Sequence, residues 1–248
     1  MSNNWEKYFT QFSDGTYRYT DKNVIKLPDN LSMPPTTHMH CMFYNCKRLK
    51  DISALANWDT SNITTMSCMF EDCRQLQDIS ALTNWDVSNV ITMFGMFSCC
   101  KQLNDLTGFA NWNTSNVTNM DYMFQDCKQL KDISALSSWD TSNVTAMKRL
   151  FHGCEQLQDI SALANWNTSN VTTMFCMFCE CHHLKNISAL SYWDISNVTD
   201  MFGFYVNINN AKSFYAYMKQ FSINITHSIA LNCKEQEMHL ARYEEKQE

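Results

Sequence analysis

Cysteine is the residue of this chain best suited to chemistry, since a thiolate can attack an electrophile, ligate a soft metal or pair into a disulfide. There are 12 in 248 residues. Six of them, Cys46, Cys73, Cys100, Cys127, Cys154 and Cys181, recur every 27 residues. One thiol at the same place in every unit behaves as a small buried side chain. A bridge between adjacent units is geometrically conceivable, because a spacing of ~5 Å lies within disulfide range. A uniform column gives no reason for pairing, however, so reduced, buried thiols are expected. Cys41 and Cys68 share a second column in adjacent units and form a separate pair candidate. The densest cluster is Cys176, Cys179, Cys181, His182 and His183. A C-x-x-C with nearby imidazoles invites zinc, with Cys176, Cys179 and His183 on one exposed face. But Cys181 belongs to the inward column, and no second C-x-x-C supplies the missing ligands. His38, His40 and Cys41 are a weaker set. No metal site and no cofactor are therefore expected.

The acidic column Asp51, Asp78, Asp105, Asp132 and Asp159, with Asn186 in the last unit, is the other candidate. Carboxylates stacked ~5 Å apart repel unless hydrogen-bonded or neutralised, and a bridging calcium would serve. A Gly-rich calcium-loop repeat is absent, with 5 glycines in the whole chain, so a structural turn role is expected. No Gly-rich phosphate loop, G-x-S-x-G or H-E-x-x-H is present. The Ser and Asp residues are abundant because the unit contains them, and no catalytic residue is assigned.

These columns exist because the chain is periodic. Trp58, Trp85, Trp112, Trp139, Trp166 and Trp193 are each 27 residues apart. Self-similarity at such a period is the signature of a solenoid, in which stacked units share one core. Residues 58–84 read WDTSNITTMSCMFEDCRQLQDISALTN. Met66, Met69, Phe70 and Cys73 have the three-four-seven spacing of one helical face, and L-x-D-I-S-A-L suits a short strand. Leu76, Ile79 and Phe70 head apolar columns expected to form the core. The Asn62 to Asn197 column is expected to be an amide ladder at a buried corner. Its N-x-[ST] sequons are for that reason not expected to be glycosylated.

WDTSNVT at 139–145 and WNTSNVTNMDYMFQDC at 112–127 resemble the repeat of the BspA-like leucine-rich repeat proteins, the Mycoplasma-type surface-protein repeat. The resemblance covers about residues 38–205. It implies an α/β repeat solenoid, a right-handed leucine-rich-repeat-like coil of short strand plus short helix, acting in adhesion or protein recognition without catalysis. Compared with the common family unit, this one carries extra residues around Ser-Ala-Leu. Many members of the family carry an export signal. The start of this chain shows no basic segment followed by an apolar run, which leaves localisation open between the cell surface and a cytoplasmic or injected protein.

The units occupy residues 38–205, about six repeats, between a non-repeating N-terminal cap at 1–37 and a C-terminal segment at 206–248 expected to be a helical cap. The net charge of −6 offers no basic footprint for nucleic acid, and no run of ~20 apolar residues spans a membrane. In a solenoid the variable columns carry specificity. Phe94, Tyr122, Lys148, Arg149 and Phe175 fall in two of these columns and mix aromatic with basic side chains, the types that dominate interface hot spots. They form the expected partner-binding face, against the alternative that the rings pack on neighbouring units. A second, polar strip runs through Gln77, Asn104, Lys131, Gln158 and Lys185. The expected function is a non-catalytic protein-interaction module whose partner is a host or neighbouring-cell protein. The alternative is a self-associating structural element.

Overall fold

Amide groups in the Met-rich segment of each unit point alternately in two directions. Met66, Cys68, Phe70 and Asp72 donate to Thr92 O, Phe94 O, Met96 O and Ser98 O of the next unit at 3.1, 2.7, 2.9 and 2.8 Å. Between them, Met69, Glu71 and Cys73 donate to Met66 O, Cys68 O and Phe70 O three residues back. Nearly every donor is thus satisfied, half within the coil and half between coils, as buried backbone requires. Single-residue parallel bridges run down the pile from His38–Thr65 to Thr173–Asp200. The computed structural model describes residues 4–204, and within them the chain is a repeat solenoid.

The segment is not the short helix that its apolar spacing suggests. A helix needs consecutive right-handed residues, and this ribbon places a left-handed one every fourth position. One such column holds Cys41, Cys68, Gly95, Tyr122, Arg149, Cys176 and Gly203, at φ between 52 and 65°. The other holds Asn45, Asp72, Cys99, Asp126, Gly153 and Glu180, at φ between 55 and 70°. Left-handed backbone costs a residue with a Cβ about 1–2 kcal/mol, which the inter-coil bonds offset. About nine residues are also too few for a self-supporting helix.

The expected strand is likewise replaced. Ser53–Leu55, Ser80–Leu82, Thr107–Phe109, Ser134–Ser138, Ser161–Leu163 and Ser188–Tyr192 are 3-10 helices. The acidic column starts them: Asp51, Asp78, Asp105, Asp132 and Asp159 each accept the amide two residues on, at 2.6 to 2.9 Å, and Asn186 does the same for Ser188. The carboxylates are therefore turn-makers. Bridges at Asp78–Asp105 and Asp159–Asn186 are the strand-like remnant. The Ser-Ala-Leu residues form this turn and bury Leu55, Leu82, Leu136 and Leu163 completely.

Phe43, Phe70, Phe97, Phe124, Phe151 and Phe178 form one ring stack with centroid spacings of 5.4 to 6.2 Å. Phe9 closes it edge-on at one end and Phe204 at the other. Fully burying a Phe or Leu side chain is worth about 1.5–3 kcal/mol, and here that burial is complete because coils lie on both sides. Residues 4–37 supply the first neighbour. The antiparallel pair β1 (Phe9–Gln11) and β2 (Tyr17–Tyr19) sets Phe9 and Tyr19 against Phe43, and Tyr19 N donates to Met42 O. The segment beyond 204, including the expected C-terminal helix, lies outside the described residues.

Side chains staple one coil to the one before it. Trp58, Trp85, Trp112, Trp166 and Trp193 donate from Nε1 to Leu31 O, Leu55 O, Leu82 O, Leu136 O and Leu163 O at 2.9 to 3.0 Å. Asn89, Asn116, Asn143, Asn170 and Asn197 donate to the Ser carbonyl of the preceding coil. The asparagines are exposed and bond backbone rather than one another, which corrects the expected buried ladder: an amide at a turn finds a nearer carbonyl than its stacked twin. Trp139 is the exception. Its Nε1 is buried without a hydrogen-bond partner, and the residue in the acceptor column is Phe109 instead of Leu. Phe109 fills the core against Phe97, Trp112, Phe124 and Trp139, and Gly108 beside it approaches so closely that an added Cβ would lie 2.1 Å from Ile79 O.

Two outcomes follow from this departure. Trp85→Phe, which strands a hydrogen bond, is expected to destabilise the chain by about 1–2 kcal/mol more than Trp139→Phe, read from urea midpoints; equal losses would show that the indole bond contributes nothing. Gly108→Ala alone is expected to cost about 1–3 kcal/mol of overpacking, although Ala occupies that column in the other coils. Gly108→Ala/Phe109→Leu, which restores the common unit, should recover most of the loss, because residues in contact do not act additively.

Candidate interaction surface

The left-handed column and the residue before it project from the same edge of each coil. The five side chains picked from the variable columns therefore meet. Phe94 and Tyr122 lie with ring centroids 5.2 Å apart. Lys148 Nζ sits 5.7 Å from the Tyr122 ring centre and 5.1 Å from that of Phe175. The Arg149 guanidinium carbon lies 5.9 and 5.6 Å from the same two rings. Phe175 then stacks on Phe202 at 5.9 Å. Two cations held between two rings are within cation–π range, worth about 0.5–1 kcal/mol each where exposed.

The strip is semi-exposed. Phe94 is 37% exposed and Ile91, three residues earlier, is 50% exposed, while the other members are half-buried. The rings pack on neighbouring coils, as the alternative reading had it, and still show an edge to solvent. Arg149 Nε is buried without a hydrogen-bond partner. Asp121 lies beneath, accepting the Lys148 amide at 2.6 Å; burial pushes its carboxyl above the ordinary range. Phe202 and Ile91 extend the strip beyond the sequence-derived set. Phe202 stands in the same column as Phe94 and Phe175, so its signal was present in the sequence. The face is a turn ribbon, not a helical one. The polar strip of Gln77, Asn104, Lys131, Gln158 and Lys185 is exposed throughout.

The thiols divide by environment. Cys73, Cys100, Cys127, Cys154 and Cys181 each donate to the Phe carbonyl of the preceding coil at 3.1 to 3.3 Å. Burial holds Cys73, Cys100, Cys127 and Cys154 protonated, far above the usual thiol range. Among the described residues the cysteines are free, as expected for the regular column. Cys176 and Cys179 do come together: the Cys179 hydrogen bond lowers Cys176 and raises Cys179. His183 instead turns to Glu155 O at 2.7 Å, and Cys181 points into the core, so the C-x-x-C cluster does not assemble a ligand set. His40, Cys41 and Cys68 do converge, with their ligand atoms all within 4.8 Å of one another.

A family model described as "Mycoplasma protein of unknown function, DUF285" matches residues 37–137 and 131–238. The chain belongs to this family. The DUF285 match spans the BspA-like repeat read from WDTSNVT. A crystal structure of a leucine rich cell surface protein from Faecalibacterium prausnitzii A2-165 is similar at 18% identity with a TM-score of 0.37. The match covers 77% of this chain and 52% of that one, so this DUF285 chain spans about half the length of that protein. No curated protein matches it. Among the described residues, no helix is long and apolar enough to cross a membrane.

The thiol environments predict an order of reactivity. In the metal-free, reduced protein, Cys41 and Cys176, each lowered first by a hydrogen bond from a second thiol, should alkylate at pH values below the ordinary thiol pKa of 9.0. Cys99, raised chiefly by burial, should need higher pH. Cys73, Cys100, Cys127 and Cys154 should label only on unfolding. Peptide-resolved iodoacetamide labelling against pH measures all three classes, and early labelling of the buried column would contradict the assignment.

Proposed function

We propose that the protein is a non-catalytic recognition module that binds a protein partner along the strip from Phe94 to Phe175. The observation that supports this is the convergence of five side chains from four successive coils into one ring-and-cation surface, in a chain whose net charge is −6. Lys148 and Arg149 concentrate positive charge on an otherwise acidic molecule, which favours a partner segment carrying carboxylates beside an apolar or aromatic anchor. Arg149 is held between the Tyr122 and Phe175 rings, and its planar guanidinium is the group suited to a carboxylate. A rigid solenoid presents these groups preorganised, so little ordering entropy is lost on binding. Adhesion at a cell surface is the biological setting that the described F. prausnitzii protein suggests. The partner is then a host or neighbouring-cell protein.

The test compares wild type with Phe94→Ala/Tyr122→Ala/Arg149→Ala/Phe175→Ala, shown to keep its circular dichroism and unfolding midpoint. Partner capture from host or neighbouring-cell extract, followed by titration of the purified partner, should show a loss of at least ~30-fold, the ~2 kcal/mol of a hot spot. Affinity for wild type should also fall with added salt. Equal binding by both proteins would remove the strip from the interface.

A further inference from the structure

Where the left-handed column begins, its first two members are cysteines, and the residue before the first is His40. Backbone bonding fixes their relation: Cys41 N donates to Ser67 O, and Cys68 N to Phe94 O, so the two cysteines stand at the same position of adjacent coils. His40 Nε2 lies 3.3 Å from Cys41 Sγ. With Cys68 Sγ, all three ligand atoms lie within 4.8 Å of one another. Above Cys68 the column changes to Gly95, where even a Cβ would come 3.4 Å from Cys68 Sγ and 3.9 Å from Glu71 Oε2. The missing side chain leaves room over the sulfur, with a carboxylate beside it. We propose that His40, Cys41 and Cys68 bind one thiophilic d10 cation, zinc, through one imidazole nitrogen and two thiolates.

The chemistry of the donors fits. Zinc takes Cys and His ligands in tetrahedral sites, and three protein ligands leave a fourth position for water. The Glu71 carboxylate lies beside Cys68. Loading a divalent ion displaces protons from both thiols, so binding should weaken as pH falls. His40 and Cys41 are half-exposed and Cys68 is 8% exposed, giving an entry path and one shielded ligand. Among the described residues the C-x-x-C at Cys176 and Cys179 has no third donor in reach of this kind and serves as an internal control.

The experiment loads the reduced full chain with zinc, and separately with cobalt, in the absence of chelator. One ion per chain is expected, with thiolate-to-cobalt charge transfer in the near ultraviolet and the strong visible bands of a tetrahedral site. Stoichiometric binding should be lost in Cys41→Ser and in Cys68→Ser, weakened at least tenfold in His40→Gln, and unchanged in Cys176→Ser/Cys179→Ser. In wild type, zinc should protect Cys41 from alkylation, a readout that needs no variant to fold. Absence of a bound ion, an octahedral cobalt spectrum, or an ion that survives Cys41→Ser and leaves with the Cys176/Cys179 variant would each overturn the proposal. So would alkylation of Cys41 at the same rate with and without zinc.

Discussion

The structure depends on one constraint: each coil must hand every second backbone amide of its Met-rich segment to the next. Met39, Cys41, Phe43 and Asn45 donate across to Thr65 O, Ser67 O, Met69 O and Glu71 O, and the pattern repeats coil after coil. Because these bonds alternate with tight turns inside the coil, the ribbon curls instead of running straight. The curl needs left-handed residues at two positions per unit. From that need come the outward edge of Cys41, Tyr122 and Arg149, the open space at Gly95, and the inward face of Met, Phe and Cys. The hydrophobic columns then make each handover irreversible in practice, since exposing a coil would uncover its neighbour's core.

The core, the period and the meeting of the five variable-column side chains were legible in the sequence. A column of Phe or Leu at a strict 27-residue interval has no other physical meaning than stacking, and the variable positions between such columns are solvent-facing almost by necessity. Phe94, Tyr122, Lys148, Arg149 and Phe175 could be picked without coordinates because stacking turns sequence offset into spatial adjacency. The local backbone was not legible. Met66, Met69, Phe70 and Cys73 have a spacing that a helix satisfies, and a ribbon of alternating turns satisfies it equally. The contrary signal lay in Gly95, Gly153 and Gly203, three of the five glycines, which fall in the two left-handed columns. Ser-Ala-Leu looked like a strand because six residues show no period, while the Asp two residues ahead of the Ser carried the turn.

The thiols illustrate the same division. Regularity identified the buried column, whose S–H groups each find a Phe carbonyl. The richest-looking cluster, Cys176 to His183, keeps only its Cys176–Cys179 pair, because Cys181 points into the core and His183 turns to Glu155 O. The sparser set of His40, Cys41 and Cys68 converges because two of its members are 27 residues apart and therefore neighbours in space. In a solenoid, closeness along the chain is a poor guide to closeness of side chains, and the repeat offset is a good one.

The reach of the staples has a consequence for how such a chain can change. Every Trp bond spans 27 or 30 residues and every Asn bond 28, always from one coil to its predecessor. Duplicating or deleting a whole coil leaves all of them intact, whereas a single inserted residue breaks the register of two coils at once. Variation in length should therefore arrive in whole units at the level of the gene. The one tolerated irregularity, Gly108 with Phe109, shows what a local alteration requires: two neighbouring changes made together, and an indole left with no acceptor.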